Sequence, residues 1–128
     1  FDYGSHHIGV AVGQSVTGTA TPLETVAVRD GKPNFDRIEA LIREWQPNIL
    51  VVGDPLTMDG TVQEMTVAAR RFGRRLHGRY RLPVEAADER LSSMEARRSM
   101  AEYGAWGEPD HPHAARVILE TWFAERDR

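Results

Sequence analysis

Carboxylate side chains stand at the ends of predicted elements that are far apart in the sequence. Asp2 ends the first predicted strand, Asp88 and Glu89 end the last one, and Asp110 precedes the last predicted helix. If these strands are parallel neighbours, their carboxyl ends meet at one edge of a sheet, together with Asp54. Crowded carboxylates raise one another's pKa unless a cation lies among them, and oxygen ligands select Mg²⁺ or Mn²⁺ over Zn²⁺. The pattern predicts a divalent metal site suited to phosphodiester hydrolysis.

The first acid lies in a predicted β-hairpin. A strand ends at Asp2, a tight turn passes through Gly4, and a second apolar strand begins at Ile8. The turn has no large aliphatic side chain, so a metal ion or a phosphate could approach its backbone. An ordinary hairpin, in which Asp2 bonds its own turn, is an equal alternative. The chain begins at Phe1 without an initiator Met, and we expect a few native residues to precede it.

The composition restricts the class of protein. With 128 residues and no Cys, one domain over residues 1–128 can bury a core without disulfides, and thiolate zinc sites are excluded. No apolar run approaches the roughly 20 residues of a membrane span, and no leader precedes Phe1. We therefore expect a cytoplasmic protein without a membrane partner. The oligomeric state stays open.

The first half of the chain predicts strands followed by one helix. Residues 18–28 predict a third strand, which we expect at an edge of the sheet because Pro22 is tolerable only at an edge or a bulge, and a turn follows at Asp30 and Gly31. A helix begins at Pro33 or Asn34. Its predicted core residues recur at helical spacing: Phe35, Ile38, Leu41, Ile42 and Trp45.

The second half alternates between strands and helices. The apolar run 49–53 predicts a central parallel strand, and the turn-rich loop after it lies where ligands bind in open α/β sheets. A helix over 62–78 and a strand over 82–90 follow. Ser92 and Glu95 form a capping box that opens a helix to about Tyr103, and a final helix begins at Asp110.

Arginines concentrate in one region of an acidic chain whose net charge is −3. No acid occurs between Glu64 and Glu85, where six arginines do: Arg70, Arg71, Arg74, Arg75, Arg79 and Arg81. In the helix over 62–78, the stripe of Met65, Ala69, Phe72 and Leu76 lies opposite several of them. A solvated charged face and a surface for a nucleic-acid backbone are equal alternatives, since Arg grips phosphate bidentately.

Four motifs in one order resemble those of the YqgF family, also called RuvX. They are Asp2–Ser5 with Ile8–Ala11, then Gly53–Gly60, Asp88–Ser92 and Ala114–Glu120. The resemblance covers nearly the whole chain. Members have an RNase H-like fold and are described as Holliday-junction resolvases, or as nucleases that mature the 5′ end of pre-16S ribosomal RNA. It implies an α/β fold with a mixed five-stranded sheet of order 3-2-1-4-5 and helices on both faces, in a metal-dependent nuclease of ribosome biogenesis.

The resemblance also implies site residues. Asp2 and Glu89 would be catalytic metal ligands for Mg²⁺ or Mn²⁺, with Asp88 as the rival of Glu89. The family's usual third Asp position falls on His111, one residue after Asp110, and part of the loop 104–110 would be missing. We favour Asp110 because a hard metal prefers oxygen, and we keep His111 as the alternative.

Nucleic acid is the partner that the resemblance implies, with pre-16S rRNA ahead of structured DNA. We predict that a set of basic side chains contacts it: Arg70, Arg71, Arg74, Arg75, Arg90 and His6. His6 and His7 are expected on the surface or against phosphate, not as metal ligands.

Two other functions compete with a nuclease. The hairpin of Asp2, Gly4 and Ser5 also resembles the first phosphate motif of actin- and Hsp70-type nucleotide-binding domains, which pair two such domains where this chain fits only one. A non-catalytic RNA- or protein-binding relative of the nuclease fold is the other, and the shifted third acid favours it.

Overall fold

The computed structural model describes residues 1–89 and 110–126. Its described elements are β1 (Asp2–Tyr3), β2 (His7–Gln14), β3 (Thr19–Arg29), β4 (Lys32–Pro33), α1 (Phe35–Trp45), β5 (Leu50–Asp54), α2 (Glu64–Tyr80), β6 (Val84–Asp88) and α3 (His111–Arg126). The expected class, mixed α/β, is therefore confirmed. The helix predicted from Ser92 to Tyr103, the loop at 104–109 and Arg90 lie outside the described residues.

The strands form two sheets. Strands β1, β2, β3 and β4 pair antiparallel in that order, and β5 pairs with β6 in parallel. Two backbone hydrogen bonds connect the sheets: the Phe1 nitrogen donates to the Val51 carbonyl (2.7 Å), and the Gly53 N–H donates to the Phe1 carbonyl (3.0 Å). The parallel pairing predicted for β5 is confirmed. The described strands form one sheet of four strands and one of two, and not the single five-stranded sheet that the resemblance implies.

The long hairpin of β2 and β3 differs from the prediction at one side. Its register shifts between Val10 and Ala11, opposite Pro22, so a bulge accommodates the proline. The predicted edge position is wrong, because Lys32 and Pro33 of β4 pair with the last two residues of β3. A two-residue strand that contains proline carries too little pattern to be recognised in a sequence.

Helix α1 begins where predicted, at the cap residue Asn34, whose side chain accepts from the Arg37 N–H. Phe35, Ile38 and Leu41 are buried, as their spacing predicts. The prediction for Trp45 is wrong, because this side chain is 46% exposed. Trp45 is the last helical residue before the left-handed cap Gln46, so its side chain projects from the end of the helix.

Helix α2 packs the core through the residues of its apolar stripe. Ala69, Phe72 and Leu76 are buried. The Phe72 ring lies 5.6 Å from the Phe1 ring and 5.0 Å from the Tyr3 ring, so α2 packs directly on β1. Burial of an aromatic side chain contributes about 1.5–3 kcal/mol, which makes Phe72 a strong anchor for the strand that carries Asp2.

Helix α3 lies against the hairpin of β2 and β3 and also contacts β6. Ala115 and Ile118 are buried, and Leu119 and Trp122 are partly buried against the core cluster of Val51, Ala87 and Ile118. Among the described helices, none is long and apolar enough to cross a membrane.

Candidate active site

Asp2 stands in the middle of the fold. It pairs with Gly9 of β2, and its neighbour Phe1 bonds β5, so β1, which carries Asp2, lies between β2 and β5. Burial raises the pKa of Asp2 above its ordinary value, and the charge of His111 opposes this effect. A buried acid whose ionised form is disfavoured is a marker of functional sites.

Glu89 follows β6 directly and lies over Gly53 of the neighbouring strand. A Cβ placed on Gly53 would lie 2.9 Å from the Glu89 Cδ and 3.0 Å from its Oε2. Glycine at this position therefore makes room for the carboxylate. Burial, and after it the negative charge of Asp2, raises the pKa of Glu89 from 4.5 to about 7.

The two carboxylates fit a hard divalent cation in their chemistry. They are oxygen donors, they are partly buried, and the charge of Asp2 raises the pKa of Glu89, so a bound cation would offset both the burial and the repulsion. Within residues 1–89 and 110–126, no three His, Asp or Glu side chains are grouped closely enough to hold a metal ion. The described part of the chain thus supplies two candidate ligands and does not bring a third beside them.

The two rivals for the third position sit at the start of α3. Asp110 caps this helix: its Oδ1 accepts the His113 N–H (3.1 Å), and its carbonyl accepts the Ala114 N–H (3.0 Å). The His111 ring stacks on His7 at 4.9 Å between centroids, and the charge of His111 acts on Asp2. The predicted start of the helix at Asp110 is confirmed, while the role of Asp110 as a metal ligand stays a prediction.

Close backbone packing holds His111 in this place. A Cβ on Gly9 would lie 1.9 Å from the His111 carbonyl oxygen. The first turn of α3 therefore packs on the backbone of β2 at Gly9, which is the residue that pairs with Asp2.

Asp54 and Asp88 occupy equivalent positions at the carboxyl ends of β5 and β6, since they are partners in the parallel register. The Asp54 carboxylate accepts two hydrogen bonds from Arg70, from Nε at 2.9 Å and from Nη2 at 3.0 Å. Arg70, predicted to contact nucleic acid, is thus engaged in a bidentate ion pair at the same edge of the sheet.

The other predicted nucleic-acid contacts have different surroundings. Arg71 and Arg74 are exposed on α2 and make no ion pair in the part of the chain that the structure describes. The Arg75 guanidinium lies 4.8 Å from the centre of the Phe35 ring. His6 is exposed and shares a hydrogen bond of 3.0 Å with the Ser5 hydroxyl.

Sequence reasoning missed the two glycines that make space for site residues. Gly9 and Gly53 belong to apolar strands and to two of the family motifs, but no role in packing was predicted for either of them. A glycine inside a strand often marks the close approach of another group, and this was the available signal. The Glu89 side chain approaches Gly53, and the His111 backbone approaches Gly9. Both partners lie far along the chain, so the sequence does not show which group meets which glycine.

The elevated pKa of Glu89 predicts a pH-dependent stability of the metal-free protein. The folded state holds the Glu89 proton up to a pH of about 7, whereas the unfolded state releases it near 4.5. The free energy of unfolding is therefore expected to fall as the pH rises through this window, by up to about 3 kcal/mol. Urea unfolding in a chelator at about pH 5 and about pH 8 measures this difference.

Glu89→Gln should flatten this pH dependence, because the amide does not titrate. Glu44→Gln, at an exposed residue of α1, is the matched control and should leave the difference as in the parent. An unchanged pH dependence in Glu89→Gln would contradict the proposed burial of this carboxyl.

Comparisons with known proteins extend over nearly the whole chain. The family model described as "RuvX: Holliday junction resolvase" matches residues 1–125. A relative from Aeromonas salmonicida, named "Putative pre-16S rRNA nuclease", is 52% identical over 130 residues, which cover 98% of this chain and 93% of the relative. Relatives of the same name from Saccharophagus degradans and Yersinia pestis are 50% and 48% identical, over 98% of this chain and 91% and 93% of theirs.

Proposed function

Since the chain belongs to the RuvX family, we propose that it is a metal-dependent nuclease that hydrolyses phosphodiester bonds of the pre-16S rRNA 5′ end. The observation that carries the proposal is the pair of partly buried, interacting carboxylates of Asp2 on β1 and Glu89 directly after β6. The names of the relatives favour RNA. The family description favours a DNA junction as the second candidate substrate.

The proposal includes one RNase H-like domain over residues 1–128, with a five-stranded sheet of order 3-2-1-4-5. In this order β5 is the fourth strand and β6 the fifth, and the short strand β4 would be an addition at the edge. The two backbone hydrogen bonds of Phe1 to Val51 and Gly53 support the order, because they place β1 beside β5. A maturation enzyme for ribosomal RNA would act in the cytoplasm.

Asp2 and Glu89 would hold Mg²⁺ or Mn²⁺, and Asp110 or His111 would complete the site from α3. The bound ion would supply positive charge for the phosphate oxygens and acidify a water molecule. The absence of a side chain at Gly53 leaves room for the Glu89 carboxylate, and its absence at Gly9 leaves room for the start of α3. Asp88, the register partner of Asp54, stays the alternative to Glu89.

Two substrates and three metal conditions test this proposal. The purified protein is incubated with a 16S rRNA precursor that carries its 5′ extension, and separately with a four-way DNA junction. Each reaction contains Mg²⁺, Mn²⁺ or a chelator. We expect metal-dependent cleavage of the precursor. Cleavage of the junction alone would show that DNA, and not RNA, is the substrate. Cleavage of neither would contradict the proposal that the protein is a nuclease.

The two exposed arginines of α2 should contribute to binding through phosphate contacts. We expect Arg71→Ala combined with Arg74→Ala to reduce the slope of log affinity against log salt by about 1.4, because each neutralised phosphate of a single strand contributes about 0.7. Fluorescence anisotropy of a labelled RNA over a salt series measures the slope.

Arg43→Ala is a suitable control for the arginine pair. Arg43 is exposed on α1 and forms an ion pair of 3.6 Å with Glu39, so its loss should leave the slope unchanged. If the double variant also keeps the parental slope, Arg71 and Arg74 belong to a solvated face.

A further inference from the structure

The loop at residues 57–61, which we call the Met58 loop, is closed by its own hydrogen bonds. The Asp59 Oδ1 accepts from the Thr57 hydroxyl, from the Thr61 N–H (3.0 Å) and from the Thr61 hydroxyl (2.6 Å). The backbone closes it again, since the Thr57 N–H donates to the Thr61 carbonyl (3.1 Å). Gly60 takes a positive φ of 87°, which a larger residue would resist. The loop therefore has one defined shape.

This defined shape presents an apolar side chain to solvent. Met58 is 75% exposed, and Val67, in the first turns of α2, is 55% exposed. A single exposed apolar residue is ordinary on a protein surface. Here, however, the exposed methionine stands at the tip of a loop that side-chain hydrogen bonds hold in place, so its position is fixed in advance of any contact.

The Met58 loop follows the strand that lies between those of the two candidate ligands. It begins three residues after Asp54, which ends β5. The Thr66 hydroxyl donates to the Pro55 carbonyl and so ties the start of α2 to the segment between Asp54 and the loop. Because β5 is joined to β1 on one side and pairs with β6 on the other, the loop leaves the sheet at the strand between Asp2 and Glu89.

The exposed face of α2, the helix that follows the Met58 loop along the chain, is cationic. Val67, Arg71 and Arg74 are spaced by four and three residues, so they share one face of α2, and all three are exposed. The two arginines have no ion-pair partner among the described residues. An apolar tip followed by unpaired arginines matches a strand of nucleic acid, which offers base faces and phosphates side by side.

We propose that Met58 contacts an unpaired base of the substrate strand, while the phosphates of that strand lie on Arg71 and Arg74. The thioether of methionine is polarizable and packs well on aromatic rings, and apolar side chains of this kind insert between bases in other complexes. This inference rests on the proposed function, and it assigns to Met58 the role of positioning the strand at the site.

Binding is measured with the Asp2→Asn variant in Mg²⁺, so that cleavage does not consume the RNA. The probe is a single-stranded RNA with the sequence around the precursor cleavage site, and 2-aminopurine replaces one base at a time. Met58→Ala should weaken binding about 10-fold, as expected for the loss of one base contact, and should leave the salt slope unchanged. The fluorescence change of 2-aminopurine at one position should disappear.

Two variants serve as controls for the contact itself. Met58→Leu keeps an apolar side chain and should retain most of the affinity. Val16→Ala removes another apolar side chain, 94% exposed in the turn between β2 and β3, and should change nothing. Because Met58 is exposed, the melting temperature of Met58→Ala should equal that of its parent.

The possible results separate this inference from the proposed function. If the affinity and the fluorescence of Met58→Ala equal those of the parent while the wild type still cleaves RNA, the base contact is refuted and the nuclease remains. A smaller salt slope in Met58→Ala would also refute it, because the lost contact would then be ionic. If the parent binds no nucleic acid, both proposals fail.

Discussion

Asp2→Asn is expected to abolish metal-dependent cleavage and to leave nucleic-acid binding intact. Loss of a group that only orients a metal ligand already costs about 10- to 100-fold, so loss of a ligand charge should cost more than about 100-fold. Binding should persist, because Arg71 and Arg74 are on α2 and not in the carboxylate pair. Single-turnover cleavage and anisotropy with the same labelled RNA measure the two effects separately.

The stability of Asp2→Asn distinguishes a ligand from a structural residue. Burial raises the pKa of Asp2, so its charge is unfavourable in the metal-free fold, and the amide should be at least as stable as the parent at neutral pH. Asp30→Asn is the matched control, at an exposed turn residue with φ of 51°, a conformation that Asn tolerates. Full cleavage by Asp2→Asn would remove the nuclease proposal.

Gly9→Ala is expected to be the most destabilising single-methyl change in the described structure. The added Cβ would lie 1.9 Å from the carbonyl oxygen of His111, and backbone cannot rotate away as a side chain can. We expect a loss of about 3 kcal/mol in the free energy of unfolding, at the upper end of overpacking effects. Since α3 must shift, cleavage should fall as well.

Gly78→Ala is the control for this substitution, because a Cβ there meets nothing within 4 Å. It lies in α2, where alanine is favoured over glycine, and stability should rise by about 0.5 kcal/mol. Urea unfolding of both variants gives the comparison. A midpoint for Gly9→Ala equal to that of the parent would show that α3 does not rest on β2 in this way.

Much of the fold could be predicted because local pattern and tertiary packing agree. The spacing of Phe35, Ile38 and Leu41 identified one face of α1, and the unbroken apolar run before Asp54 identified a buried parallel strand. The prediction failed where the chain changes from one element to another. Trp45 has the spacing of a core residue, but the helix ends at it, and periodicity does not show where a helix stops.

The candidate site could be predicted less completely. Acids at strand ends are visible in the sequence, which made Asp2, Asp88 and Glu89 candidates, and the family resemblance favoured Glu89 over Asp88. The bidentate ion pair of Asp54 with Arg70 could not be predicted, because the two residues are sixteen positions apart and the sequence does not show how α2 is oriented against β5. The stacking of His7 on His111 depends on the docking of α3, which is set by the absence of a side chain at Gly9.

The hydrogen bonds between the two sheets limit the temperature up to which the site can stay assembled. The bonds from Phe1 to Val51 and Gly53 join β1 to β5 in the described part of the chain. A junction made by a few backbone hydrogen bonds can open locally while the larger cores around it persist. Opening there separates Asp2 from the half of the molecule that carries Glu89. Catalytic turnover should therefore cease on warming before the chain as a whole melts.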